Sequence, residues 1–155
     1  MTPSDLVAEY LRGPSVLRQA VAGLSPDQLK ARPVPGKWST LEVVCHLADF
    51  DPILADRMKR IIALDKPMLM GADENRFVAA LRYHDRDVEE ELQLMELTRR
   101  QMGRILASLA AETWTRTGIH SERGELTLLR VLELAANHIR HHVQFIDEKR
   151  KALGL

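Results

Sequence analysis

Six histidines and one cysteine are the soft metal ligands of this 155-residue chain. Two of the histidines, His138 and His142, lie in the run Asn137-His138-Ile139-Arg140-His141-His142. In a helix a separation of four places both imidazoles on one face, about one turn apart, where they can share a divalent ion. His138 and His141 also share a face, so spacing alone leaves two pairs open. The apolar stripe chooses between them. Ala135, His138, His142 and Ile146 fall on one line, whereas His141 falls with Asn137 and Gln144 toward the flank. His138 and His142 are therefore expected to point inward. An unpaired polar group in an apolar helix interface costs about 1–3 kcal/mol. A shared metal removes that penalty, as does a hydrogen bond to a buried carboxylate or water.

His46 supplies a third imidazole, embedded in the apolar run Val43-Val44-Cys45-His46-Leu47-Ala48. Helix bundles assemble metal sites from ligands on facing helices. Three histidines leave one coordination position open, which is the composition of a catalytic zinc site rather than a closed structural one. Asp49, one turn after His46, is placed to orient a ligand, act as a general base or become a fourth ligand; its plainer reading is an exposed helix carboxylate. Adjacent helical residues diverge by about 100°, so Cys45 does not share a metal with His46 and is expected to be a small buried hydrophobe. His84 and His120 fall in connections as solvated or capping residues, with His120 also near enough to a bundle end to line a pocket. His141 and Arg140 are expected on a solvated helix face.

With 22 basic and 22 acidic side chains the formal net charge is zero, which argues against a protein built to neutralise many phosphates. No basic recognition helix stands out, and Lys149-Arg150-Lys151 suits the negative end of a helix dipole. One cysteine excludes an intrachain disulfide framework and any multi-cysteine zinc or iron–sulfur centre. No apolar run approaches the roughly 18–20 residues of a membrane helix, and Met1-Thr2-Pro3-Ser4-Asp5 lacks the order of a secretory signal. A cytoplasmic protein with neither nucleic-acid nor membrane partners is expected, formed of one domain over residues 1–155.

The positioning elements read as helices with few strand signals. Thr2 or Ser4 caps a first helix over about residues 3–23, which Gly13-Pro14 is expected to break. Ser39 and Glu42 have capping-box spacing at the start of a second helix, which Pro52 is expected to kink near Ala48 and which ends at Asp65-Lys66-Pro67. Phe77, Val78 and Leu81 suggest a short helix, and Asp85 or Asp87 starts a third long one. Residues 110–126 form a connection, with Trp114 covering a bundle end, and Thr127 caps the last helix. Trp38 is expected to staple the start of the second helix. The sum is an all-α four-helix up-and-down bundle with short extra helices in the connections and room for uneven crossovers.

The run Arg32-Pro33-Val34-Pro35-Gly36-Lys37-Trp38-Ser39, followed by His46-Leu47-Ala48-Asp49, resembles the second-helix start of DinB-like proteins, which include the YfiT-type metal-dependent hydrolases. Gly124-Glu125-Leu126-Thr127 leading to the His138/His142 pair resembles their last helix, and the likeness spans roughly residues 4–150. The resemblance implies a four-helix bundle with a histidine triad for a divalent metal, zinc or nickel. Matched position by position, the triad is His46, His138 and His142. It also implies a homodimer and chemistry of two kinds on a small electrophile: transfer of a low-molecular-weight thiol, or hydrolysis. A non-catalytic, stress-associated metal-binding dimer is the alternative.

Overall fold

The structure, a computed structural model, describes residues 1–155. Each long helix begins at a side-chain cap. Thr2 accepts the Asp5 amide while the Asp5 carboxylate accepts the Thr2 amide, opening α1 (Pro3–Val21). Ser25 and Gln28 open the short α2 (Pro26–Lys30) in the same way. Ser39 and Glu42 form the expected capping box of α3 (Thr40–Ala63). After the two-residue β1 (Met68–Leu69), Asp73 caps α4 (Glu74–Ala80) and Asp87 caps α5 (Val88–Ala107). The strands β2 (Thr117–His120) and β3 (Gly124–Thr127) precede α6 (Leu128–Ala152), which Thr127 caps. Reciprocal caps of this kind satisfy orphan amides and make each helix start local and definite.

The four long helices form the expected four-helix bundle, with an uneven crossover between α3 and α5 in place of strict up-and-down order. Both α1 and α3 pack on α5 and α6, so α1 and α3 face each other across the diagonal. Residues near the start of α1 and α6 share one apolar half with the ends of α3 and α5: Leu6, Tyr10, Met58, Ile61, Leu106 and Leu128. The other half joins Leu17, Val44, Leu47, Leu92, Met95 and Ile146. Hence α1 and α6 run one way and α3 and α5 the other. The parallel neighbours α3 and α5 cannot be joined by a tight turn, and residues 64–87 travel back along the bundle between them.

Two expectations are corrected. First, α1 is continuous through Gly13-Pro14 rather than broken. Pro14 has no amide for the Tyr10 carbonyl, four residues back, and the buried Arg99 guanidinium donates to that oxygen instead at 2.8 Å. Gly13 permits the approach, because a methyl there would collide with Arg99. Arg99 also grips Asp51 bidentately, at 2.7 Å on each side, in a polar layer between the two apolar halves. Second, the connection before α6 holds strand structure: β2 and β3 pair antiparallel, and β1, from the connection after α3, joins β2 in parallel to make a small sheet. Strands of two and four residues are too short to show alternation. The second helix is continuous across Pro52. No helix is long and apolar enough to cross a membrane.

Candidate metal centre

His46 projects from α3, and His138 and His142 from α6, into the seam between these helices. One nitrogen from each ring lies within 4.8 Å of the others. His46 Nε2 and His138 Nε2 are 3.1 Å apart. Zinc–imidazole bonds of about 2.0–2.1 Å at tetrahedral angles separate neighbouring nitrogens by about 3.3 Å. The three rings stand 4.7–5.0 Å apart, tilted or edge-on rather than stacked. His46 is buried, and the other two are partly so.

The surroundings keep the imidazoles neutral, as metal ligands must be. Burial pushes His46 down to about 4, against a partial opposing pull from Asp49. It takes His138 to about 2 and His142 to about 3, with repulsion from His46 adding to each. The buried Nδ1 atoms of His46 and His138 have no hydrogen-bond partner. Three converging neutral imidazoles, with the Nε2 atoms of His46 and His138 facing each other, fit a divalent ion better than they fit a self-contained polar network.

A pH dependence follows for the metal-free protein. An unfolded histidine takes a proton near about 6.5, whereas the folded groups resist until far lower pH, so the unfolded state binds more protons between these limits. Stability is therefore fully present above about pH 6.5 and falls as the pH drops toward 4, with a slope of up to about 1.4 kcal/mol per pH unit for each histidine. Urea titrations of chelator-treated protein at pH 7 and pH 5 are expected to differ by a few kcal/mol. Equal midpoints contradict the burial of neutral imidazoles.

The remaining candidates separate clearly. Asp49 is bound bidentately by Arg86, at 2.7 and 3.0 Å, and makes no hydrogen bond to the triad. Arg86 also holds Glu91, so Asp49 belongs to a charge cluster behind His46. Cys45 is fully buried and donates weakly to the Tyr83 carbonyl, and its thiol is pushed up to about 12, mainly by burial. His84 lies 2.8 Å from the Ser39 hydroxyl and 3.1 Å from Glu42, locking the start of α3. His141 is exposed and touches only the His142 and Phe145 rings among aromatics. Trp38 leans on His46 with ring centres 5.2 Å apart, and Trp114 covers the apolar half at the opposite end. Arg140 is exposed and pairs with Glu9.

Two cavities meet the triad. One of about 420 Å³ is lined by His46, His138, Phe50 and Glu74, among others. The other, about 280 Å³, touches His142, Trp38, Phe145 and Lys149, and shares Glu74 with the first. The Glu74 carboxylate lies 3.8 Å from His46 Nε2 and is half exposed. Glu74 is a site residue that sequence reasoning missed. Asp73 marks a helix cap, but nothing in the spacing ties α4 to the histidines. Arg57, in the larger cavity, was also missed, although His46, Phe50, Leu54 and Arg57 follow helical same-face spacing and the cation interrupts an apolar line.

The family profile described as the DinB superfamily matches residues 9–146. The chain belongs to the DinB superfamily. A relative from Geobacillus thermodenitrificans, provisionally named a metal-dependent hydrolase, is 30% identical over 151 residues, covering 97% of this chain and 85% of its own. YfiT from Bacillus subtilis, described provisionally as a metal-dependent hydrolase with an unusual four-helix bundle topology, superposes with a TM-score of 0.92 at 24% identity, over 98% of this chain and 87% of that one. The mycothiol-dependent maleylpyruvate isomerase shares the fold with a TM-score of 0.72 at 11% identity, over 93% of this chain and 60% of that one. In this DinB-superfamily protein the helix order and the converging histidines thus accompany a family whose curated relatives are named for metal dependence.

Proposed function

We propose that this DinB-superfamily protein is a divalent-metal-dependent enzyme in which His46, His138 and His142 hold one ion, zinc or nickel. The observation that carries the reading is the convergence of three neutral imidazoles, two of them lining a 420 Å³ cavity of a size suited to a small substrate. A divalent ion on three neutral ligands supplies Lewis acidity and makes a bound water or thiol a nucleophile near neutral pH.

The chain's own residues do the rest. Glu74, exposed at the junction of the two cavities, accepts the proton the nucleophile releases and passes it to solvent. Phe50 and Phe77 form a tilted aromatic pair beside His46, which limits water on that side. Trp38 holds the His46 ring from the other side. Asp49, fixed by Arg86, lends negative charge behind His46 and steadies an ion in front of it.

Hydrolysis of a small electrophile is the reading nearest the relatives' names. Transfer of a low-molecular-weight thiol is the second, favoured by the two cavities: His46 and His138 line one, His142 the other, so two molecules can approach the same ion. Zinc- and nickel-loaded protein should be assayed on an activated aryl ester and on an alkyl halide, each with and without added cysteine. Metal-dependent turnover abolished by chelation is expected. Thiol-independent product marks hydrolysis and thiol adducts mark transfer. Glu74→Gln is expected to lower kcat roughly 10²-fold, in the range of a lost general base, with metal content unchanged. Absence of turnover with either metal, with water or thiol, argues for the non-catalytic alternative.

A further inference from the structure

The cavity that holds His46 and His138 also contains a basic corner that the triad does not use. It consists of Arg57 on α3, and of His120 and Arg123 at the β2–β3 hairpin. The hairpin turn fixes the histidine tautomer. His120 Nδ1 accepts the Glu122 amide at 3.1 Å and the Arg123 amide at 3.2 Å, so the ring proton sits on Nε2. That ring is 5% exposed, and its Nε2–H has no acceptor within the chain. Arg57 uses one amino group on the Met70 carbonyl, at 2.6 Å, and leaves its Nε buried with no partner. The Arg123 guanidinium has neither a hydrogen bond nor an ion pair within the chain.

Three donors with spare capacity therefore meet where a protein would ordinarily place a carboxylate. Arg57 and Arg123 lie close enough to repel each other, and both disfavour a charged His120. Of the acidic residues of the same cavity, Glu122 favours the charged forms of Arg57 and His120 from a distance, and none forms an ion pair in the corner. Asp73 caps α4, Glu74 stands by His46, and the Glu122 carboxylate lies against Gly71. None of them pairs with either arginine.

We infer that Arg57, His120 and Arg123 bind an oxyanion, the carboxylate or phosphate of a small substrate whose reacting atom faces the histidine triad. The second half of this statement rests on the proposed metal chemistry; the anion corner itself does not. Two guanidinium groups and an imidazole N–H match the acceptor atoms of an oxyanion; Arg57 is half-buried, where such bonds are strengthened, and the exposed Arg123 closes the corner from its mouth. The corner also gives the small sheet a task, since β2 and its turn carry two of the three donors.

The test titrates metal-loaded protein with inorganic phosphate, with succinate and with neutral succinamide, followed by calorimetry and by amide shifts of residues 119–124. Saturable binding of one anion is expected, with no binding of succinamide, and the tighter anion names the group. Arg123→Ala removes no hydrogen bond or ion pair within the chain and is expected to weaken binding at least tenfold with metal content and fold unchanged. Arg57→Met is expected to do the same, and Arg60→Met, outside this cavity, to have no effect. Metal-free His142→Ala protein is expected to bind the anion still. If Arg123→Ala and Arg57→Met bind as the wild type does, or binding vanishes with the metal, the corner is not the anion site. If His142→Ala keeps its metal while Arg123→Ala loses the anion, the metal reading falls and the corner stands.

Discussion

Replacing Arg99 with methionine is expected to destabilise the fold by about 3–5 kcal/mol, the range for removing one partner of a buried ion pair. Arg99 and Asp51 are each 1% exposed. The guanidinium makes two bonds to Asp51, one to the Tyr10 carbonyl and one to the Ala135 carbonyl at 3.1 Å, and it lies 4.4 Å from the centre of the Tyr10 ring. It thus ties all four long helices at one level. Methionine fills part of the volume but leaves Asp51 with an uncompensated charge or an enforced proton. It also strands the Tyr10 carbonyl, for which Pro14 has no amide to offer. Urea denaturation at pH 7 measures the loss. Asp51→Leu in the Arg99→Met background is expected to recover most of it, because the isolated charge is then gone. A loss below about 1 kcal/mol for Arg99→Met contradicts this role.

The second large effect belongs to the centre. His138→Ala is expected to lower metal-dependent kcat/KM by at least about 10³-fold, a loss of roughly 4 kcal/mol of transition-state stabilisation. In the proposed centre, two remaining ligands on different helices would not replace the chelating pair of His138 and His142 within α6. The same substitution removes a buried ring whose Nδ1 has no partner, so the metal-free variant is expected to be at least as stable as the metal-free wild type at pH 5. Activity loss without stability loss separates a ligand from a packing residue. A variant that keeps wild-type kcat/KM contradicts the role of His138.

The long helices and the triad were legible in the sequence for local reasons. Thr2, Ser39, Asp87 and Thr127 cap the helices they open, and the stripe through Ala135, His138, His142 and Ile146 picks the inward pair over His141. What was not legible depends on pairs distant in sequence. Gly13-Pro14 is a break by local rules, and α1 survives it because Arg99, 89 residues after Tyr10, supplies the missing donor. The sheet pairs two residues of β1 with a strand some fifty positions later, too little sequence to carry a pattern. His120 lines a cavity, as its place near a bundle end allowed, but Glu74 and Arg123 reach that cavity only through these crossovers, so their chemistry is invisible until the chain is folded.

The most direct measurement is metal content after equal loading. Wild-type protein and the His46→Ala, His138→Ala and His142→Ala variants would be incubated with excess zinc or nickel, desalted and analysed by mass spectrometry. The account predicts one ion per wild-type chain and less than about a tenth of that in each variant, all four proteins remaining folded. Equal metal content in wild type and His142→Ala contradicts a centre built from these three histidines.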